Sequence, residues 1–170
     1  MSGPLEATSL QEWADEQVDM APHYRTLIRY AERCTTIIEW GVRGGVSTWA
    51  FLDGLPPEGR LVSVDIIPCV VPPRVSEDER WTFIIGDDVA PQVVMQLPET
   101  CDLLFIDTSH TYRQTVKELE LAPRFEPHMI VMHDVNMDEV RQAVDEFCER
   151  EGWKIAGYEE PFGLATLLRR

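Results

Sequence analysis

Short apolar runs alternate along most of the chain with stretches whose apolar residues recur at helical spacing. The apolar runs predict strands at 35–40, 60–65, 81–86, 101–107, 128–134, 153–158 and 163–170. Helices are predicted between them at 46–55, 88–97, 111–125 and 137–150. Apolar strands separated by helices are typical of a parallel sheet that is covered on both faces. The pattern therefore predicts a doubly wound α/β fold: a mostly parallel, seven-stranded sheet, helices on both faces, and an antiparallel C-terminal hairpin.

The residues before the first strand predict a helical N-terminal extension (1–34), and residues 35–170 are expected to form the main part of a single domain. The extension is too short to hold a core of its own. Ser9 is expected to cap its first helix and Pro22 to open the second. The apolar face of the first helix is formed by Leu10, Trp13, Ala14 and Val18. The proline-containing segment 66–80 is expected to be a loop near a ligand rather than another element.

Acidic residues outnumber basic ones, with 30 Asp and Glu against 15 Lys and Arg, for a formal charge of −15. Such a balance disfavours nucleic acid and anionic membrane surfaces as partners. The sequence contains neither a secretory signal pattern nor the roughly 20 apolar residues that cross a bilayer. Its four cysteines are scattered and are expected to be reduced. These features predict a cytoplasmic protein.

The turn after the first strand, from Glu39 to Ser47, is rich in glycine and leads directly into a helix. In open parallel sheets, ligands bind at the carboxyl ends of the strands. Glycine permits positive φ and close approach of a ligand, and the helix start offers free N–H groups. A tight turn without a ligand is the alternative. The G-x-G-x-x-G and P-loop patterns are absent, which disfavours a dinucleotide or nucleotide-sugar enzyme.

Acidic residues also stand where the other parallel strands end. Asp65 can accept hydrogen bonds from ribose hydroxyls, and Asp87 is within reach of an adenine amino group. Asp107 and Asp134 end the fourth and fifth predicted strands. Asp88 is expected to cap the following helix. One such residue is commonplace, but a carboxylate at each of five neighbouring strand ends favours a ligand site.

These residues, together with FIDTSHTY (105–112) and IVMHDV (130–135), resemble the class I S-adenosylmethionine-dependent methyltransferases from about Thr35 to the end. The similarity is greatest to a small O-methyltransferase subgroup with an F-I-D-x-x-H strand, which includes relatives of macrolide and cephalosporin-pathway enzymes. The resemblance implies S-adenosylmethionine as cofactor, with Ser47 beside its methionine carboxylate, Asp65 at the ribose and Asp87 at the adenine. The implied cofactor-binding residues are Glu39, Gly41, Gly44, Ser47, Asp65, Asp87 and Asp107.

Methyl transfer requires a nucleophile that is aligned with the methyl group and has usually lost a proton. His110, three residues after Asp107, is a candidate to accept that proton or to orient the acceptor, with a purely structural role as the alternative. Asp107 and Asp134 are candidate Mg²⁺ ligands. His133 is a softer ligand and argues against Mg²⁺. A polar pocket without a metal ion is therefore the alternative. The remaining histidines, His23 and His128, are expected at the surface.

The predicted function is O-methylation of a small hydroxylated molecule. The alternative is a non-catalytic S-adenosylmethionine-binding or interaction module, because the chain has few residues that could form a lid over a bound substrate. By analogy with short members of such families, a homo-oligomer is expected.

Overall fold

The computed structural model describes residues 9–15 and 19–170, and the structural statements that follow refer to these. The strands are β1 Thr36–Trp40, β2 Arg60–Asp65, β3 Trp81–Ile85, β4 Leu103–Ile106, β5 Met129–Met132, β6 Trp153–Glu159 and β7 Leu164–Arg169. The helices are α1 Leu10–Asp15, α2 Tyr24–Ala31, α3 Val46–Gly54, α4 Pro73–Ser76, α5 Pro91–Val94, α6 Tyr112–Leu121 and α7 Asp138–Glu151.

The seven strands form one sheet in the order β3-β2-β1-β4-β5-β7-β6. The first five strands pair in parallel, whereas β7 runs antiparallel to both β5 and β6. Successive side chains of a strand point to opposite faces, so Ile37 and Ile38 belong to two different hydrophobic clusters, one on each face. The predicted fold class is confirmed. Its parallel topology brings the carboxyl ends of β1 to β5 to one edge.

The N-terminal helices pack on α3 and extend the cluster on that face. Trp13 and Leu27 are buried there with Phe51. Val18, predicted to share the face of α1, lies outside the described residues. Helix α2 begins at Tyr24 rather than at Pro22, which lies in the preceding turn.

His23 immediately precedes α2 and is fully buried, so its predicted surface position is wrong. Its Nε2 lies 2.6 Å from the carbonyl oxygen of Pro161, a partner far away in sequence. A lone histidine next to a helix start carries no sequence signal for such a contact. His128 is exposed, as predicted.

Prolines explain where the predicted boundaries differ. Segment 66–80 contains the one-turn helix α4, because Pro73 occupies a first helical position, where its missing N–H is not needed. Helix α5 has only four residues and starts at Pro91, later than predicted. Pro123 cannot donate to a helical carbonyl, so α6 ends at Leu121 and a 3₁₀ turn over Ala122–Phe125 follows.

Within the described part of the chain, every helix is too short or too polar to cross a bilayer. The four cysteines are free thiols.

Candidate active site at the carboxyl edge of the sheet

A cleft of about 410 Å³ opens where the parallel strands end. Its volume falls in the usual range of small-molecule sites. The strand order places the loop after β3 at one side, then those after β2, β1, β4 and β5. The walls include Gly41, Asp65, Asp87, Asp88, Asp107 and Gln114. Four of the predicted site residues, Gly41, Asp65, Asp87 and Asp107, are thus brought together.

Gly41 brings the end of β1 against the end of β4. Its φ is +89°, and a Cβ at this position would overlap the carbonyl oxygen of Asp107. Any other residue would have to push the Asp107 backbone away, so glycine is required here. This contact fixes the floor of the cleft.

Gly44 and Ser47 lie slightly apart from the other predicted residues. They border a small adjacent depression together with Met20 and Asp107. The carbonyl oxygen of Gly44 accepts a hydrogen bond of 2.6 Å from the indole Nε1 of Trp13. The N-terminal segment is therefore attached directly to the glycine-rich turn.

Asp65 supports the same turn from the end of β2. Its Oδ2 accepts hydrogen bonds from the backbone N–H groups of Val42 and Arg43 at 2.9 and 3.1 Å, and its Oδ1 accepts one from Ile67 at 3.2 Å. Burial alone would raise the pKa of Asp65, but these three donors lower it below the ordinary value. A negatively charged carboxylate is thus fixed in the cleft wall.

Glu39 is fully buried and is not among the cleft-lining residues. Its carboxylate accepts hydrogen bonds from the hydroxyls of Ser47 at 2.6 Å, Thr48 at 2.8 Å and Ser63 at 2.5 Å. Burial outweighs these donors and raises the pKa of Glu39 to about 7. Glu39 and Ser47, both predicted to contact the cofactor, bind each other and hold the start of α3 against β2.

Two aspartates and two histidines form a histidine–aspartate cluster: Asp107, His110, His133 and Asp134. His110 Nε2 lies 2.8 Å from Asp134 Oδ2 and 3.7 Å from Asp107 Oδ1. On the other side, the buried His133 places Nδ1 2.9 Å from Asp134 Oδ2 and 3.6 Å from Asp107 Oδ1. The carboxylates raise the pKa of His110 to about 10. Burial opposes the same effect at His133, whose pKa is still raised to about 10.

The aspartates of the cluster respond in the opposite direction. Burial would raise the pKa of both Asp107 and Asp134, but the adjacent histidines lower it below the ordinary value. One ligand atom from each of Asp107, His110 and Asp134 lies within 4.8 Å of the others, a spacing that fits a divalent cation. His110 is the most exposed of the four, with 41% of its side chain accessible. Of the four, Asp107 lines the cleft, whereas His110, His133 and Asp134 are not among the cleft-lining residues.

A second carboxyl pair, Asp88 and Glu118, adjoins the cleft and was not predicted as a functional unit. Asp88 does not cap α5, whose N-cap residue Ala90 makes no side-chain bond. Instead its Oδ1 accepts a 3.0 Å hydrogen bond from Gln114 Nε2. Glu118 is fully buried, and its Oε1 accepts a 2.5 Å bond from Thr108. An acid on the buried face of α6, beside Leu119, was the available sequence signal.

Arg43 in the glycine-rich turn forms a bidentate ion pair with Asp19, with N–O distances of 2.7 and 2.5 Å. Together with the Trp13 bond to Gly44, this pair fastens the N-terminal segment over the turn. Neither contact could be read from the sequence, because the partners are remote along the chain.

Comparison with known families gives a match to the methyltransferase domain model over residues 38–135, more than half of the chain. Among solved structures, cofactor-bound Rv0187 from MTB is 20% identical over 88% of this chain and 80% of its own, with a TM-score of 0.71. An O-methyltransferase from Bacillus cereus, in complex with S-adenosylhomocysteine, is 18% identical over 96% and 90%, with a TM-score of 0.68.

The O-methyltransferase TomG from Streptomyces achromogenes, in complex with S-adenosylmethionine and involved in tomaymycin synthesis, is 18% identical. It covers 95% of this chain and 88% of its own, with a TM-score of 0.63. No curated protein matches the sequence. At these identities the solved structures establish the fold, and the family model establishes membership. The chain therefore belongs to the methyltransferase domain family, and its predicted resemblance to the class I S-adenosylmethionine-dependent methyltransferases is confirmed.

Proposed function

We propose that this protein binds S-adenosylmethionine in the cleft and methylates an oxygen atom of a small hydroxylated molecule. The observation that carries the proposal is the order of side chains along the sheet edge. Asp87 and Asp65 lie on the β3 and β2 side, Gly41 in the middle, and Asp107 with His110 on the β4 side. The arrangement separates a nucleoside-binding half from a reactive half.

The nucleoside-binding half fits the chemistry of the cofactor. The carboxylate of Asp65 suits ribose hydroxyls, and that of Asp87 suits an adenine amino group, since both are acceptors that face donors. Ile66 and Ile67, which follow Asp65, also line the cleft, and they are 72% and 61% exposed. Exposed apolar side chains at this place suit the face of a bound aromatic ring.

On the reactive half, the histidine–aspartate cluster is proposed to position the methyl acceptor. The bound cofactor supplies an electrophilic methyl group on a sulfonium centre. Asp107, which lines the cleft, and Asp134 hold the imidazole of His110. This imidazole is proposed to donate a hydrogen bond to the oxygen of the methyl acceptor. Of the two roles predicted for His110, this geometry favours orientation of the acceptor over removal of its proton.

A divalent cation is a further part of the proposal. Asp107 and Asp134 would hold it, with His110 as a third ligand, because their ligand atoms already lie within 4.8 Å of one another. Carboxylates alone suit Mg²⁺, whereas an added imidazole favours Mn²⁺ or Zn²⁺. The ion would supply positive charge to a bound acceptor oxygen. The shift in melting temperature on addition of each ion, measured for the wild type and for Asp134→Asn, tests the metal site. Equal shifts in the two proteins would contradict it.

Calorimetry tests the cofactor assignment. S-adenosylhomocysteine is expected to bind and NAD is not. Asp65→Ala is expected to weaken S-adenosylhomocysteine binding about tenfold or more, because charge-assisted hydrogen bonds are lost. Asp145→Ala, on the exposed face of α7, is the matched control and should bind as the wild type does. Binding of NAD without S-adenosylhomocysteine would disprove the assignment.

Turnover separates an enzyme from a binding module. Release of S-adenosylhomocysteine is measured over a panel of phenols, catechols and sugar alcohols. His110→Ala is expected to lower turnover about a hundredfold while cofactor affinity stays within a factor of three. Cofactor binding without turnover on any acceptor would instead support the non-catalytic alternative.

A further inference from the structure

Glu118 reaches from the middle of α6 to the loop that carries Asp107 and His110. The hydroxyl of Thr108 donates to Glu118 Oε1 at 2.5 Å. Thr108 follows Asp107 directly and borders the cleft itself. A side chain that touches no ligand thus holds the backbone from which two proposed site residues extend.

Glu118 Oε2 is buried, and no hydrogen-bond donor reaches it from the part of the chain that the structure describes. The carboxyl group of Asp88 also interacts with Glu118. Asp88 is itself buried and accepts a hydrogen bond from Gln114, one helical turn before Glu118 on α6. Asp88 stands in the loop after β3, on the opposite side of the cleft.

A single bound proton removes the electrostatic repulsion between these two carboxyl groups. Within the described segments, no cation pairs with either group, and the other neighbours that act on them are Asp87, the backbone of Val89, Thr108 and Gln114. Burial raises the pKa of both carboxyls, and a neighbouring carboxylate raises it further, Asp87 for Asp88 and Asp88 for Glu118, so the pair retains a proton. A proton on Glu118 Oε2 would let this oxygen donate to Asp88 while Oε1 still accepts from Thr108. The buried Oε2 would then have a partner.

We propose that Glu118 is a positioning residue that links the Asp87–Asp88 loop to the Asp107–His110 loop and so fixes the two sides of the cleft relative to each other. The proposal rests on the proposed function, since the two loops are those assigned to the adenine and to the methyl acceptor. Glu118 acts only through Thr108 and Asp88. Its effect is preorganisation: loops that are already placed need not be ordered when the cofactor binds.

Three substitutions test the link. Glu118→Gln keeps both contacts, because an amide N–H can donate to Asp88 and the amide oxygen can accept from Thr108. Glu118→Ala removes both. Thr108→Val removes only the hydroxyl and covers the case in which Glu118→Ala fails to fold. Thr115→Ala is the matched control, since Thr115 is equally buried on α6 but bonds only to the backbone of Thr111.

Two measurements read the result. Calorimetry with S-adenosylhomocysteine is expected to show about tenfold weaker binding in Glu118→Ala and Thr108→Val, and binding within a factor of two in Glu118→Gln and Thr115→Ala. Amide hydrogen exchange without ligand is expected to rise at 107–110 in Glu118→Ala and Thr108→Val, and at 86–89 in Glu118→Ala. Exchange at both segments should stay unchanged in Glu118→Gln.

The outcomes separate the two proposals. If the wild type fails to bind S-adenosylhomocysteine, the proposed function is wrong, and the exchange data alone decide on the link. If the wild type binds but Glu118→Ala and Thr108→Val match it in affinity and exchange, the link is wrong and the proposed function stands. Loss of affinity in Glu118→Gln equal to that in Glu118→Ala would also overturn the link.

Discussion

Two carboxyl pairs each place one member in the wall of the same cleft, Asp107 and Asp88, and their negative charge is compensated in opposite ways. Asp107 and Asp134 face two histidines, and the pKa values of both aspartates are lowered. Asp88 and Glu118 face no cation within the described residues, and their pKa values are raised by burial and by a neighbouring carboxylate, which is Asp87 for Asp88 and Asp88 for Glu118. The first pair stays charged, whereas the second retains a proton.

The difference follows from what lies next to each pair, because burial raises the pKa in both places. Asp107 and Asp134 adjoin His110 and the buried His133, which supply positive charge. Asp88 lies against α6, the helix that contains Glu118. Gln114 donates to Asp88 and Thr108 donates to Glu118, but neither donor carries a charge. The histidines beside the first pair therefore account for the opposite directions of the pKa shifts.

The largest expected effect comes from Gly41→Ala, which disturbs only the first pair. The substitution costs about 1–2 kcal/mol for left-handed backbone. It also forces the Asp107 backbone away, so the total loss of unfolding free energy should exceed about 3 kcal/mol. Urea unfolding measures the loss.

Gly152→Ala is the matched control for this prediction. Gly152 also has a positive φ, of +70°, but nothing lies within 4 Å of its added Cβ. The expected cost is therefore the backbone strain alone, about 1 kcal/mol. Equal losses in the two variants would contradict the role assigned to the Gly41–Asp107 contact.

The same substitution should have opposite effects in the two pairs. Asp134→Asn removes a charge that His110 and His133 share, and should lower the unfolding free energy at pH 7 by about 1–3 kcal/mol. Asp88→Asn makes the retained proton unnecessary, because its amide N–H can donate to Glu118 while its amide oxygen still accepts from Gln114, so stability should equal or exceed that of the wild type. Urea unfolding of both variants measures the contrast. Similar losses would mean that the two pairs do not differ as described.

Much of the fold follows from local patterns, and the part of the site that depends on strand ends follows with it. Apolar strands and helical spacing predict the parallel sheet, and its topology gathers Asp65, Asp87 and Asp107 at one edge. Contacts between remote segments leave no local pattern. The Trp13 bond to Gly44 and the burial of His23 against Pro161 depend on how α1 and the C-terminal hairpin pack.

Glu118 and Glu39 show a related limit. Each is an acid in an apolar segment, and its spacing alone does not tell whether it faces solvent or a buried partner. The hydroxyls that satisfy Glu39 come from α3 and β2, and only the folded sheet places them around one carboxylate. Sequence reasoning therefore identified Glu39 but not the three hydroxyls that surround its carboxylate.

The smallest expected effect is a change in pH dependence on Glu118→Gln. Glu118 has a folded-state pKa above the ordinary glutamate value of 4.5. As pH rises above that value, the unfolded chain loses a proton that the folded protein keeps, so the wild type becomes less stable relative to its unfolded state. Glutamine does not titrate. The stability of Glu118→Gln relative to the wild type should therefore increase by on the order of 1 kcal/mol between pH 5 and pH 7.5.

Urea unfolding at several pH values measures this difference, and Glu120→Gln, at an exposed position on the same helix, is the control. The control should shift by less than about 0.5 kcal/mol over the range. The sign of the change in relative stability with pH decides the prediction. A relative stability of Glu118→Gln that falls with rising pH would mean that Glu118 is held as an anion, as Asp134 is. The contrast between the two pairs would then disappear, and the protonated link from Asp88 to Thr108 would disappear with it.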